Sequence, residues 1–288
     1  MPSEPLRQLL LDPTVVTVAL GALLLGATAG ALGTFAVLRR QSLLGDTMSH
    51  AALPGVVLGY LLAQGRSLPA MLAGALVTGL AAALLAQLLA RRRGVKHEAA
   101  LGTWLGTGFA LGVVLLSLVQ RQPGAGSAGL EQFLFGQAAA TLRSDLLLIG
   151  AIALLSLGLV ALLFHRFELV TFDPRFARAG GVAVRVYETL LTLLLAVAIV
   201  VGLQLVGVVL MSALVVAPAV AARQLAGSLG AMLWLSAAVG AFSALVGALA
   251  SAAVPGLSTG PTVVLVATAC AALALAFGRR RGVRLEGA

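Results

Sequence analysis

The sequence predicts an all-α membrane protein, a polytopic helical bundle with eight or nine transmembrane segments. Of its 288 residues, 60% are hydrophobic, 10% are charged and 34 are glycine, which leaves too little polar surface to cover a water-soluble protein of this size. Apolar stretches of about 20 residues, the length at which a helix crosses a bilayer, recur along the whole chain. We expect these stretches to be helices, because a chain in lipid must satisfy its backbone hydrogen bonds internally.

The expected spans form a single transmembrane domain, 1–288, without a soluble domain. Arg, Pro, Gly or Asp residues separate the apolar stretches. The stretch 186–222 is too long for one span and short for two, so the number of spans is eight or nine, and we expect breaks at 202–204 and at Pro218. The spans cover roughly 14–38, 45–64, 69–90, 99–119, 145–164, 186–203, 205–222, 229–250 and 260–277.

The net charge of +9 comes mainly from basic residues at the ends of the apolar stretches. In a soluble protein such a charge would suggest nucleic acid binding, but arginines at span ends report membrane orientation, with the basic loops in the cytoplasm. We therefore expect the chain to lie in a lipid bilayer and not to bind nucleic acid. Nine spans would place the N-terminus outside. The expected cytoplasmic regions are Arg91 to Lys96, 165–185 and the tail from Arg279 to Arg284.

A carboxylate and an imidazole stand at the start of the second apolar stretch. If the helix begins at Thr47, Asp46 and His50 lie one turn apart on one face and can reach a common atom. An Asp oxygen with a neutral His nitrogen suits a first-row divalent ion, and Ser49 is a weaker oxygen donor beside them. The alternative is that Asp46 caps the helix and His50 fills a packed interior position. Two ligands cannot close a metal site, so a second copy of the chain would have to supply the others.

The predicted cytoplasmic region 165–185 contains a short helix with clear start and stop signals. Asp173 followed by Pro174 is typical of a helix start, with Asp as N-cap and Pro at the first helical position. The helix would include Phe176 to Ala179 and would stop at Gly180 and Gly181.

No catalytic motif is present. His97 and Glu98 are followed by Ala-Ala-Leu, so there is no HExxH sequence, and we expect both to be solvated loop residues. The only lysine, Lys96, is not part of a phosphate-binding loop, so ATP would have to bind to another chain. We expect a transport subunit and not an enzyme.

Three stretches resemble the permease subunits of ABC importers for zinc, manganese and iron(II), the ABC-3 type. Order and spacing agree from about Thr14 to Phe277. Ser42 to Gly55, SLLGDTMSHAALPG, is similar to the Gly-Asp-x-x-Ser-His-Ala-x-x-Pro-Gly signature of that family. Val206 to Ala219 is similar to its Gly-x-x-Leu…Ala-Leu-Leu…Pro-Ala segment, and Phe172 to Val182 is similar to its cytoplasmic coupling region.

The resemblance implies a permease subunit in a bacterial cytoplasmic (inner) membrane. Asp46 and His50 would bind the travelling metal ion in a pathway shared by two copies, with no cofactor apart from that ion. The partners would be a separate ABC ATPase and an extracytoplasmic metal-binding protein. The residues that would dock the ATPase are Asp173, Pro174, Ala177, Gly180 and Gly181.

One alternative function remains open, together with the identity of the metal. A proton-coupled secondary metal transporter could use Asp46 and His50 to exchange protons against its substrate. Such carriers usually carry more charged residues inside their spans and have recognisable halves, and neither feature is evident here. Carboxylate-imidazole sites accept zinc, manganese and iron(II), so the sequence leaves all three as substrates.

Overall fold

A computed structural model describes residues 12–65, 67–92, 94–121, 143–254 and 257–278, and within these ranges every regular element is a helix. The prediction of an all-α bundle is confirmed. We number the eleven helices of these ranges in chain order. They are α1 (Pro13–Leu38), α2 (Leu43–Leu62), α3 (Leu68–Ala90), α4 (His97–Gln120), α5 (Arg143–Leu162), α6 (Phe164–Phe172), α7 (Pro174–Ala179), α8 (Val184–Val206), α9 (Val208–Leu225), α10 (Leu229–Ala253) and α11 (Thr259–Phe277).

Seven helices in the described ranges are long and apolar enough to cross a membrane. They are α1, α3, α4, α5, α8, α10 and α11. Helices α2 and α9 also lie where spans were predicted but are not among the seven. Helix α2 carries Asp46, His50 and Pro54, which lower its mean hydropathy, and the apolar part of α9, Met211–Leu225, is short.

Helix α2 is packed inside the bundle against α3 and α4, and glycines allow the close approach. A Cβ on Gly55 of α2 would collide with the carbonyl group of Gly74 on α3. A Cβ on Gly108 of α4 would lie 2.9 Å from Ala51. Because most of α2 faces other helices and not lipid, it can carry polar side chains that a lipid-facing span would exclude.

Helices α1 and α10 pack through a second set of small residues. Gly26 and Gly30 of α1 face the backbone of Gly240 and Ser236. The hydroxyl of Ser236 donates a hydrogen bond of 2.6 Å to the carbonyl of Gly30. Small residues at this spacing let two helices approach until backbone atoms touch, as in membrane helix pairs of the GxxxG type.

Two predicted boundaries are wrong. Helix α2 begins at Leu43, with Ser42 in the N-cap position, so Asp46 lies inside the helix and does not cap it. The break in the long apolar stretch falls at Gly207 and not at 202–204, because Gly207 adopts φ 90°, which glycine reaches without a steric penalty. Helix α9 also continues past Pro218, where we expected a break, and α2 continues past Pro54.

The structure describes part of the three basic regions that the sequence predicts to be cytoplasmic. Arg91 and Arg92 follow α3 directly, and α6 and α7 form the connection between α5 and α8. The tail from Arg279 to Arg284 lies outside the described residues.

A candidate metal site and a candidate docking helix

Asp46 and His50 form a contact pair on one face of α2, which we call the ligand pair. Nε2 of His50 lies 3.5 Å from Oδ1 of Asp46, and the side chains are 17% and 33% exposed, respectively. Two ligands at about 2.1 Å from a tetrahedral ion are separated by about 3.4 Å. The two atoms are therefore spaced as two ligands of one ion, without rearrangement of the helix.

The imidazole of His50 is held between α2 and α4. The ring of Phe109 packs against it edge-on, with centroids 5.1 Å apart and planes at 86°. Nδ1 of His50 is buried and has no hydrogen-bond partner among the described residues, and the same holds for Oγ of Ser49, the residue predicted as a weaker donor. Buried polar atoms without partners are costly, and a bound ion or water is one explanation for them.

Thr47 fixes the ligand pair relative to α4. Its hydroxyl lies 2.8 Å from the carbonyl oxygen of Leu43 in its own helix and 3.2 Å from the carbonyl oxygen of Leu101 in α4. Thr47 is fully buried, so this contact is shielded from water. The first turns of α2 and α4 are thus joined beside Asp46.

The ligand pair is not a complete metal site within one chain. Among the described residues, no group of three or more His, Cys, Asp or Glu side chains is placed to hold a metal ion. A transition metal bound only by Asp46 and His50 would keep at least two open positions in tetrahedral coordination. Those positions require water or side chains from another chain.

The predicted cytoplasmic region 165–185 contains the short helix that the sequence predicted, α7, which we call the docking helix after the role expected of it. The Asp173 carboxylate accepts hydrogen bonds from the backbone N–H groups of Arg175 and Phe176, at 3.1 and 2.8 Å. Pro174 is the first helical residue and Gly180 is the C-cap. Gly181 then adopts φ 77°, a conformation that favours glycine. The predicted start and stop signals are confirmed.

The docking helix has a buried and an exposed side, and Ala177, one of the residues expected to dock the ATPase, lies on the buried side. Ala177 is fully buried and packs with Val170, Val182 and Val184. Phe176 is 64% exposed, although it is the only aromatic residue of the helix. An exposed aromatic side chain among charged residues is a common feature of binding surfaces, and the sequence shows the aromatic residue but not its exposure.

A polar cluster that the sequence did not predict lies at the same end of the bundle. Nη2 of Arg39, just after α1, is 3.1 Å from Oε1 of Glu188 in α8, and the Arg39 side chain is only 12% exposed. Burial lowers the pKa of the Arg39 guanidinium, and the Glu188 carboxylate partly opposes that shift. Both residues line a cavity of about 190 Å³ together with Gln41, Gln87, Ala90, Arg91 and His97.

His97 belongs to this cluster, so its predicted place in a solvated loop is wrong. It is the first residue of α4, and its Nε2 atom is buried without a hydrogen-bond partner among the residues that the structure describes. Glu98 beside it is exposed, as expected, but it lies in the first turn of α4 and not in a loop. The sequence does not indicate this cluster, because its members come from three separate parts of the chain, 39–41, 87–97 and 188.

Comparison with known proteins decides the family. The model of the ABC 3 transport family matches residues 12–278. The chain belongs to the ABC 3 transport family. This confirms the resemblance seen in the motifs, and the chain is a transmembrane permease subunit of an ABC system of the zinc, manganese and iron transport group. ABC 3 permeases of this kind are multi-pass proteins of the bacterial cytoplasmic membrane.

Relatives of this ABC 3 permease are similar over nearly its whole length. It is 45% identical to the zinc transport system membrane protein TroC of Treponema pallidum, over 96% of this chain and 93% of TroC. It is 40% identical to the manganese transport system membrane protein MntC of Bacillus subtilis, over 97% of this chain but 64% of MntC. The solved structure of PsaBC from Streptococcus pneumoniae in complex with Fab contains a similar chain, with a TM-score of 0.84, 30% identity and 98% of both chains covered.

Proposed function

We propose that this permease imports a divalent transition metal ion into the cytoplasm, driven by ATP hydrolysis on a separate chain, through a pathway formed by two copies. The observation that carries the proposal is the ligand pair, with a 3.5 Å separation between Nε2 of His50 and Oδ1 of Asp46 inside a membrane bundle. Ionisable side chains inside a membrane bundle are costly, so their presence there usually marks a function such as an ion pathway. Partial exposure of both side chains leaves them accessible to an ion.

The incomplete ligand set supports a homodimeric pathway. A second copy related by a two-fold axis would add another Asp46 and another His50, giving four ligands of the two types that transition metals accept. A site that forms only between two copies can bind and release its ion when the copies move relative to each other. This is the behaviour required of a transport site, which must not hold its ion too tightly.

One face of α4 fits the second copy. Gly102 and Gly106 are exposed, and no atom of the described part of the chain lies within 4 Å of the position that a Cβ would take at either residue. Phe109 continues the same face, is 42% exposed and contacts His50. Glycines four residues apart on an open face allow close packing of another helix. We therefore place the contact between the copies on this stripe of α4, beside the ligand pair.

We further propose that all nine long helices cross the membrane and form one transmembrane domain. With α2 as a span, α1, α2 and α3 make three crossings, which place Pro13 outside if Arg91 is cytoplasmic. Helices α8 to α11 make four crossings, which return the chain to the cytoplasm after Phe277. Burial of α2 among α3, α4 and α9 supports its inclusion despite its polar residues.

The docking helix is proposed to bind the ATPase through Phe176, with Asp173, Pro174, Gly180 and Gly181 fixing the shape of the helix. Ala177 contributes by packing against Val182 and Val184, which attaches the docking helix to the start of α8. An extracytoplasmic binding protein is proposed to deliver the ion at the opposite side of the bundle. The names of the relatives support zinc or manganese as substrate, and the Asp/His ligand types also accept iron(II).

Reconstitution into proteoliposomes tests the proposal. The permease, its ATPase and its binding protein should accumulate radiolabelled zinc or manganese only when ATP is supplied on the ATPase side. Accumulation that follows an imposed proton gradient without ATP would contradict the proposal and would favour the secondary transporter.

A further inference from the structure

The turn between α1 and α2 is short and rigid. Arg39 is the C-cap of α1, and its N–H donates to the carbonyl of Phe35 at 3.0 Å. The N–H of Gln41 donates to the carbonyl of Ala36 at 2.8 Å, and that of Leu44 donates to Gln41 at 2.9 Å. A displacement of Arg39 is therefore passed directly to the first turn of α2, where Asp46 lies.

The same end of α1 is joined to α8 by the ion pair between Arg39 and Glu188. The two charged groups are 3.1 Å apart and mostly shielded from solvent, so their attraction is stronger than that of a surface pair. The backbone carbonyl of Glu188 also accepts a hydrogen bond of 2.9 Å from Thr192, which in turn accepts one of 2.9 Å from the side-chain amide of Gln87 in α3. These hydrogen bonds connect α3 to α8 one turn after Glu188.

Aromatic rings make a second connection beside the ion pair. Phe35, one turn before Arg39, packs against Phe167 of α6 with centroids 5.7 Å apart. Phe167 packs against Tyr187, the neighbour of Glu188, at 6.1 Å. Phe35 and Phe167 are at most 2% exposed, so the rings form a continuous buried contact from α1 through α6 to α8.

The docking helix is attached to the start of α8. Ala177 packs with Val182 and Val184 in a small apolar cluster, and Tyr187 packs against that cluster. The N–H of Val182 donates to the carbonyl of Ala177 at 2.9 Å. Movement of α7 therefore moves the first turns of α8, which carry Tyr187 and Glu188.

We propose that Arg39 and Glu188 are positioning residues that transmit movement of the docking helix to the ligand pair on α2. The inference rests on the proposed function, because it takes α7 as the ATPase contact and Asp46 with His50 as the ion site. The route runs from α7 to the start of α8, across the ion pair to α1, and through the four-residue turn to α2. The aromatic contacts keep α1 and α8 at a fixed distance, and the ion pair fixes their register.

The chemistry of the pair supports a role beyond packing. Holding α1 against α8 needs only apolar side chains, and a shielded ion pair usually stabilises a fold less well than apolar residues of the same size. An ion pair depends on the direction between its two groups. The pair of Arg39 and Glu188 is therefore suited to keeping the end of α1 and the start of α8 in one defined arrangement. The cavity of about 190 Å³ beside it leaves space in which the two side chains can shift together.

The test compares metal-dependent ATP hydrolysis in variants of the reconstituted complex of permease, ATPase and manganese-loaded binding protein. Glu188→Gln keeps the side-chain shape and removes the charge. We expect it to reduce the stimulation of ATP hydrolysis by the loaded binding protein at least about fivefold, the lower end of typical coupling between two sites. Binding of ATPase to the permease and equilibrium binding of ⁵⁴Mn by the detergent-solubilised permease should stay at wild-type levels.

Further variants separate transmission from folding. Glu98→Gln removes an exposed carboxylate at the same end of the bundle and should leave stimulation unchanged. The double variant Arg39→Glu with Glu188→Arg restores the pair in reverse and should recover most of the stimulation that either single change removes. If the double variant does not reach the membrane, Arg39→Lys keeps a charge opposite Glu188 and should retain more stimulation than Arg39→Gln.

Wild-type stimulation in Glu188→Gln would overturn the inference. So would a loss of stimulation that occurs together with loss of ATPase binding or of ⁵⁴Mn binding, because the pair would then only hold the fold. Failure of the proposed function is recognised separately, since the wild-type complex itself would then show no ATP-dependent uptake, and the inference would fall with it.

Discussion

The ring of Phe109 on α4 packs edge-on against the imidazole of His50 on α2, with ring centroids 5.1 Å apart. This contact limits rotation of the imidazole and leaves Nε2 directed to Asp46, 3.5 Å away. One aromatic residue thereby couples the orientation of a candidate metal ligand to the position of α4. The same residue lies on the face of α4 where we place the second copy.

Phe109→Leu should weaken metal binding without unfolding the protein. An edge-to-face aromatic pair contributes about 0.5 to 1.5 kcal/mol beyond burial, which corresponds to roughly a two- to twelvefold loss of affinity. Titration of the solubilised permease with ⁵⁴Mn measures the change. The matched control is Phe242→Leu on α10, where the ring is 55% exposed. This variant should bind ⁵⁴Mn with wild-type affinity. Equal affinity in both variants would show that Phe109 has no influence on His50.

Asp46→Asn and His50→Ala should each reduce metal uptake at least about tenfold, as expected for loss of a group that holds a metal. The Asn side chain keeps the shape of Asp46 but removes its negative charge, and Ala removes the nitrogen donor of His50. Uptake of radiolabelled zinc and manganese into proteoliposomes gives the readout, with permease levels equalised. Transport by both variants at the wild-type rate would show that the pair is only a structural contact.

The ligand pair was predictable from the sequence because its geometry is local. Residues four apart on a helix share a face whatever the rest of the fold does, so Asp46 and His50 needed only a helix at that place. The exact start of that helix was not predictable. Ser42 and Asp46 are both good N-cap residues, and tertiary packing of Leu44 in the core favours the earlier start.

Features that depend on distant contacts were not visible in the sequence. Arg39 and Glu188 have no local signal of pairing, and His97 resembles a loop residue until α3 and α8 surround it. The break at Gly207 also escaped prediction, because the segment has glycines at 202 and 207 and only the folded chain shows which adopts a positive φ. Gly202 remains helical, packed against Met211.

Gly30→Ala should destabilise the bundle. A Cβ at this position would collide with the carbonyl oxygen of Ser236, and overpacking of a close helix contact costs about 1 to 3 kcal/mol. Gly158→Ala on α5 is the matched control, because none of the residues that the structure describes lies within 4 Å of that Cβ position. Alanine there should be neutral or stabilise the helix by up to about 1 kcal/mol. Thermal unfolding in detergent compares the two, and equal midpoints would contradict the close packing of α1 and α10.

Phe176→Ala should weaken binding of the ATPase while the permease stays in the membrane. An exposed aromatic anchor at a protein interface typically contributes about 2 kcal/mol or more, so affinity should fall roughly thirtyfold. Ala179→Ser, at an exposed small residue of the same helix, is the control. Ala177→Glu should also reduce binding, but through loss of the buried packing that holds the helix. Co-purification of tagged ATPase measures all three, and normal recovery with Phe176→Ala would exclude this surface of α7 as the contact.

The exposed stripe of α4 should be the contact between two copies, and a cysteine placed on it should cross-link them. The chain has one natural cysteine, Cys270, so the experiment uses the Cys270→Ser background. Gly106→Cys introduces a thiol on the open face beside Phe109, where its Cβ meets no other atom within 4 Å. Two copies packed by close helix contact would bring the two thiols within reach of a short bismaleimide reagent.

In membranes, Gly106→Cys should therefore yield a band of twice the monomer mass after treatment with the reagent. Gly158→Cys is the control, because its position is equally open but lies on α5, away from the ligand pair. It should remain monomeric. If the two variants cross-link to the same extent, the contact is a random encounter in the bilayer and the shared site must be sought on another face. If only Gly106→Cys cross-links, Asp46 and His50 of both copies lie beside one interface, which is the arrangement that four ligands around one ion require.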